Sequence, residues 1–387
     1  MRYAFNPEGE ASHTIIVIFL RGAADALNMV VPYGDSDYYR LRPSLAIQPP
    51  DATHAAPGDR SLDLDGFFGL HPSLAPLLLA WQDGHLALVH AVGAPDDSRS
   101  HFRSMELMER GASDESGPAS GWLSRVLAAS QGASSSPLRA VAWGDRPPRS
   151  LLGSVPVTTL QSIADAHLGS DGQSLDAFRT TLAALYQPFD DLGSAGQDLL
   201  GLLGSLDRLR GNGEATAGAY PPTDFGRALE QTARLVMAGV GLEVAALELG
   251  GWDTHFAQGG SEGIMATLLA ELATGLGAFV LDLGAEIGRV TTVTMSEFGR
   301  RAYENGSLGT DHGHGSCMFV LGGRVNGRRV VAHWPGLGEG ELFGPGDLAV
   351  TTDYRDVLAE ICRTQLSDTA LSAVFPGRQS QPVGVMR

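Results

Sequence analysis

Glu297, Asp311, His312 and His314 fall in one stretch, Arg289–Ser316, RVTTVTMSEFGRRAYENGSLGTDHGHGS. Imidazoles and carboxylates at this density are the donor set of a metal centre built from nitrogen and oxygen. Gly313 and Gly315 flank the histidines and predict tight turns that aim both rings at one spot. A second dense group, Gly250-Gly251-Trp252-Asp253-Thr254-His255, sets an Asp and a His close together on a glycine-led loop, where both can face one ion. A third, Asp97-Ser98-Arg99-Ser100-His101, offers two hydroxyls and an imidazole just ahead of a predicted helix. Free N–H groups and the helix dipole there favour an anion or an ionised nucleophile. Ser98 or Ser100 is also a natural helix cap, and His101 a plain first-turn residue. Asp25, in the small-residue loop Arg21–Asn28, has the same two readings, ligand or cap.

These groups can meet only if the elements before them bring them to one place. Thr14–Leu20, Leu86–Val92, Leu242–Leu249 and Val290–Met295 read as apolar strands, and each ends in one of the polar loops. Continuous apolar runs suit a parallel sheet covered on both faces. In such a sheet the strand C-termini share one edge, and sites form there. Helices are predicted over His71–Gln82, His101–Arg110, Gly121–Ser130, Thr223–Ala238, Glu262–Leu283 and Asp353–Leu366. Arg139–Trp143 and Cys317–Leu321 read as further strands, and Trp334–Leu348 as loop. Leu and Ala recur at helical spacing over Ser174–Arg210, a helical insertion at about 172–222 that carries no chemistry. Gly211–Pro222 reads as a flexible connection. The expectation is one α/β domain over 1–387, three-layered α/β/α, with a mostly parallel central sheet.

The bulk numbers narrow the function. The chain has 387 residues, 43% of them hydrophobic, enough to bury a large core. A formal net charge of −17 argues against nucleic acid, because a phosphate backbone needs a basic face. Ile15–Leu20 is too short to cross a bilayer. Residues 1–13 lack a basic segment followed by an apolar one. That pattern places the chain in the cytoplasm, or in the periplasm or outside if it is a trimmed mature form. Cys317 and Cys362 form no CxxC, so a metal here must use nitrogen and oxygen ligands.

The phrases FLRGAADALNMVVPYGD, SRSHFRSMELMERG, GGWDTHF, TMSEFGRRAYENGSLGTDHGHGS and TTDYRDVLAEI span nearly the whole chain. They resemble an uncharacterised, sulfatase-like bacterial family, usually exported by the twin-arginine route, within the alkaline phosphatase superfamily. That resemblance implies an α/β/α core, a divalent-metal centre and a hydroxyl nucleophile at a helix N-terminus. It sets Asp25 at the first-strand Asp, Ser98 or Ser100 in the nucleophile region, and Asp253 with His255 at a later Asp and His pair. It sets His312 or His314 at the last His. Three features depart from the pattern. Glu297-Phe298-Gly299 stands where the superfamily has Asp-His-Gly, the spacing of Asp253 and His255 is shorter, and Cys-x-Pro-x-Arg is missing.

The function expected is hydrolysis of a phosphate or sulfate ester at a metal centre. Its ligands would come from Asp25, Asp253, His255, Glu297, Asp311, His312 and His314. Ser100 or Ser98 would attack, with His101 as a neighbouring ligand or proton-transfer group. Arg21, Arg99 and Arg300, with Asn28, would hold the small anionic ester. Zinc fits the imidazole content best, and manganese, magnesium or calcium would suit the carboxylates. The alternative is a protein without catalysis that keeps a degenerate hydrolase site to bind metal or a partner. The sequence sets no oligomeric state.

Overall fold

The computed structural model describes residues 13–130, 136–164, 174–187, 191–211 and 217–387. The expected connection over Gly211–Pro222 and the margins of the insertion lie partly outside them, as do nearly all of the first thirteen residues.

Strand β1 (Thr14–Leu20) runs through the middle of the molecule, buried along its whole length. Alternate side chains leave a strand on opposite faces. Ile16, Ile18 and Leu20 accordingly join one core, and Ile15, Val17 and Phe19 another. The other strands of this sheet are β2 (Leu86–Gly93), β3 (Ala140–Trp143), β4 (Thr158–Leu160), β5 (Val244–Leu249), β6 (Val290–Met295), β7 (Ser316–Gly322), β8 (Arg329–Val331) and β9 (Thr352–Asp353). Their order in the sheet is β8–β2–β7–β6–β1–β5–β3–β4, with β9 beside β2. Every pairing is parallel except the two made by β7, which runs antiparallel to both β2 and β6.

In chain order the main helices are α1 (His101–Arg110), α2 (Trp122–Ala129), α3 (Ser174–Leu185), α4 (Asp191–Gly211), α5 (Asp224–Met237), α6 (Ile264–Leu283), α7 (Tyr354–Cys362) and α8 (Asp368–Val374). Helices α5 and α6 cover one face of the sheet, through Phe225, Leu229, Leu272 and Phe279. Helices α2, α7 and α8 cover the other, through Trp122, Val126, Leu358 and Leu371. The protein is thus mixed α/β around a large, mostly parallel sheet. By length and composition α6 is apolar enough to cross a membrane. Here it is a core helix, packed on the Pro72–Leu77 segment and on α5.

One element differs from the sequence reading. The helix expected over His71–Gln82 is a 3-10 turn at Pro72–Leu77 followed by a short α-helix, Leu78–Gln82. Pro76 sits inside it and has no N–H to give to an α-helical ladder. The insertion carries α3 and α4, and Leu206 of α4 reaches the core.

The direction of β7 matters most for the site. Strands β1, β2, β5 and β6 all end at one edge of the sheet. Because β7 is antiparallel, it starts at that edge. The segment from Glu297 to Gly315 therefore leaves and returns on the same side, close to the loops after β1 and β5.

Candidate metal centre

His101 opens α1, His255 lies in the loop after β5, and His312 lies in the returning arm before β7. Their rings meet. His312 Nε2 is 3.0 Å from His101 Nε2 and 2.8 Å from His255 Nε2. Asp253 joins them, with Oδ1 3.1 Å from His312 Nε2 and 3.2 Å from His255 Nε2, and Oδ2 3.6 Å from His101 Nε2.

The other nitrogen of each ring decides the chemistry. His101 Nδ1 faces Glu297 Oε1 at 2.7 Å, His255 Nδ1 faces Asp311 Oδ1 at 3.1 Å, and His312 Nδ1 faces the Arg99 carbonyl at 3.0 Å. All three partners are acceptors, so in the neutral imidazoles each Nδ1 carries the proton. Each Nε2 is then a bare lone pair. Three such lone pairs and a carboxylate converge with no hydrogen to share among them. This is the way metal-binding histidines are oriented, through a carboxylate or carbonyl on the far nitrogen. The spacing of the Nε2 atoms is close to that of two imidazoles on one ion, whose metal–nitrogen bonds are about 2.0–2.1 Å. His101, His312 and Asp253 bring ligand atoms within 4.8 Å of one another and are the residues able to hold a cation, with His255 beside them against His312 and Asp253.

Their supports are buried and stiff. Glu297 is fully buried and also accepts the Gly22 N–H at 2.8 Å. Gly22 sits at φ +120°, and a Cβ there would lie 2.5 Å from the Asp253 nitrogen, so only glycine fits where the loops after β1 and β5 touch. Asn305 donates to Asp311 Oδ1 at 3.0 Å. That bond, with the one from His255, holds the Asp311 carboxyl below its usual range. Partial burial pushes the Asp253 carboxyl up, but the hydrogen bond and charge of Arg300 outweigh it and bring it to about 2. Burial also lowers the His312 pKa, which favours its neutral form. Phe298 packs on both rings, with centroids 5.0 Å from those of His101 and His312.

The remaining residues expected at the site are elsewhere or do another job. Asp25 is fully buried in a two-pronged ion pair with Arg42, at 2.6 and 2.9 Å, and accepts from Gln258 at 2.6 Å. It is neither a ligand in this arrangement nor a plain cap. His314 turns away, to the Ala94 carbonyl at 2.9 Å and the Phe343 ring. The reason is that Gly313 and Gly315 make no tight turn. Neither has a left-handed φ, and a Cβ on either would overlap the backbone packed beside it, so these glycines serve close approach instead. Glu297 and Asp311 orient histidines rather than joining the cluster.

The three predicted substrate arginines are already engaged. Arg21 pairs with Glu109 and Glu248, and Arg99 with the buried Asp347. Arg300 is buried; it holds Asp253 at 2.6 Å and the carbonyls of Gly22, Ala23, Trp252 and Thr310. Asn28 is spent on Tyr38, Arg42 and the Leu45 carbonyl. Ser100 holds the cap position of α1, yet its hydroxyl makes no capping bond, and Ser98 Oγ accepts the Ser100 N–H at 3.2 Å. The sequence reading missed Arg42 and Gln258 altogether. Arg42 sits in a stretch that reads as irregular, and no local signal marks it as the partner of Asp25.

Comparison with known proteins adds little about chemistry. No curated protein matches the chain. One solved structure that matches is described as the crystal structure of Ps i-CgsB in complex with k-i-k-neocarrahexaose. It is 10% identical over 93% of this chain and 74% of that one, with a TM-score of 0.38, too low to carry an argument. The family model described as "Protein of unknown function (DUF1501)" matches residues 12–379, and the chain belongs to that family.

Proposed function

We propose that this protein is a metal-dependent hydrolase of phosphate or sulfate esters, related in architecture to the alkaline phosphatase superfamily. The observation that supports it is the convergence of His101, His312 and Asp253, with His255 beside them and the far nitrogen of each ring on an acceptor. Without a cation that arrangement leaves lone-pair donors of His101, His312 and Asp253 facing one another. Three imidazoles and one carboxylate favour zinc; manganese, magnesium or calcium are the harder alternatives. When bound, the ion supplies Lewis-acid polarisation of the ester.

The residues of the chain do the rest. Arg300 keeps Asp253 ionised and in place. Glu297, Asp311 and the Arg99 carbonyl hold the three rings in the tautomer that presents Nε2. Ser100, directly before His101 and free of capping duty, is the hydroxyl suited to attack. Its oxygen bonds to phosphorus or sulfur, the alcohol leaves with a proton, and water then cleaves the serine ester.

A second reading, metal or partner binding without catalysis, has one observation in its favour: Arg21, Arg99 and Arg300 are all neutralised by carboxylates. Elemental analysis of the purified chain, with turnover of nitrophenyl phosphate and sulfate esters, separates the two. The hydrolase reading expects stoichiometric metal and turnover that a chelator abolishes. Bound metal with every ester untouched would favour the second.

Glu297→Gln tests the orienting role. Gln keeps an acceptor for the Gly22 N–H but loses the carboxylate behind His101. Metal affinity, measured by competition with a chelator, should fall by about 10–100-fold. Unchanged affinity would mean that His101 is not oriented through this carboxylate.

A further inference from the structure

Beside the part-exposed Asp253 and Asp311 carboxylates, exposed apolar side chains stand on the segments that carry the candidate centre. Phe102 directly follows His101 and is 87% exposed; Phe256 directly follows His255 and is 72% exposed. Consecutive Cα atoms are about 3.8 Å apart, so both rings are anchored one residue from a ligand. Leu308 is 58% exposed on the segment that hydrogen-bonds alongside, where Ala257 N–H donates to the Ser307 carbonyl and Gln258 N–H to that of Leu308. Leu308 and Ala257 both have left-handed backbone, φ 57° and 48°. A leucine in that conformation is uncommon, and an exposed one gains nothing from burial to offset the strain. Three exposed apolar side chains on the histidine-bearing segments are a poor choice for stability alone. Exposed apolar groups carried on the segments of a site suit a ligand surface.

Charge narrows the ligand further. With Arg21, Arg99 and Arg300 taken, the next guanidinium is that of Arg301. The Arg301 backbone N–H donates to the Asp311 carbonyl at 2.9 Å, which ties this residue to the returning arm beside His312. It stacks on Tyr303 and bonds to that hydroxyl, and its Nε is buried without a hydrogen-bond partner. Among the described residues it has no carboxylate within ion-pair distance. A doubly charged phosphate monoester calls for several such arms, whereas one arm matches one negative charge.

We propose that the site takes singly charged esters of apolar alcohols, sulfate monoesters or phosphodiesters, with Phe102, Phe256 and Leu308 holding the apolar group and Arg301 the anionic oxygens. The class of bond cleaved rests on the hydrolase reading: the S–O or P–O bond to the alcohol breaks, water oxygen ends on sulfur or phosphorus, and the alcohol leaves with a proton. The binding preference does not rest on it.

The test therefore has a binding arm and a turnover arm, both on the metal-loaded full chain. Calorimetry compares methyl sulfate with butyl sulfate, and dimethyl with dibutyl phosphate. Each buried methylene is worth about fourfold, so the three extra in butyl should tighten binding by up to about sixtyfold. In the triple variant Phe102→Ser, Phe256→Ser, Leu308→Ser that preference should vanish while metal content stays the same. Arg301→Gln should weaken both chain lengths alike. Equal binding of methyl and butyl by the wild type overturns the proposal. So does a triple variant that keeps the preference but changes sedimentation, which would assign the rim to contact between copies of the chain. A retained butyl preference with no ester turned over leaves the apolar site standing and removes the hydrolase reading. Turnover favouring sulfate over diester, or the reverse, tells the two ester classes apart.

Discussion

His312→Ala should leave the protein folded and unable to retain metal, with turnover lost along with it. His312 is the hub of the cluster, because its Nε2 lies within 3.1 Å of His101, His255 and Asp253 alike. Loss of a mere orienting partner costs about 10–100-fold in affinity, and loss of the central donor must cost more. The ring is only partly buried, so its removal opens space near solvent and does not hollow the core. Ser100→Ala is the matched control for chemistry. It should keep metal and melting temperature, because Ser100 makes no capping bond, and should lose turnover by orders of magnitude. Metal content by elemental analysis, melting temperature and kcat/KM on the same samples give the readout. If His312→Ala keeps full metal, the converging lone pairs are not a metal site. If Ser100→Ala keeps full activity, the attacking oxygen is not the one on this serine.

Asp25→Ala should show the opposite profile: a large loss of stability, with metal still bound to the folded protein. Asp25 and Arg42 are both fully buried. Removing the carboxylate strands a guanidinium in the core, which costs about 3–5 kcal/mol. Arg42 would keep its bonds to Asn28 and to the carbonyls of Arg301 and Ala302, so the fold should survive in weakened form. Urea denaturation gives the stability, and metal analysis of the native fraction gives the stoichiometry. Asp25→Asn keeps the shape and loses only the charge, so it should fall between wild type and alanine. Metal loss from native Asp25→Ala, with stability near wild type, would restore Asp25 to the ligand set. Glu304 gives a related caution about reading charge from sequence. It accepts the N–H groups of Ser44 and Leu45 and so holds the Arg42 segment against the metal loop, although nothing in its surroundings along the chain marks it as structural.

The sequence by itself determined the strands and the edge. Thr14–Leu20 is apolar after its first residue and Val290–Met295 is β-branched up to Met295, which suits a doubly covered sheet, and the polar loops after them mark the edge where the candidate site lies. Local composition also marked Asp253, His255, Glu297, Asp311 and His312, because donor residues beside glycines are rare away from sites. What it left open was which donors meet. His312 and His314 look equivalent in Asp311-His312-Gly313-His314-Gly315, yet only the packing of Gly313 against the backbone of Arg300 sends the first ring to the centre and the second to Ala94. His101 reads either as a first-turn residue or as a neighbouring ligand until the antiparallel β7 brings the returning arm beside it. Asp25 reads as ligand or cap until the fold delivers Arg42 and Gln258 to it, the latter from more than two hundred positions away. Apolar periodicity is a local property and survives in the sequence. The pairing of a charge with its partner is set by which backbone segments touch, and that exists only once the chain has folded.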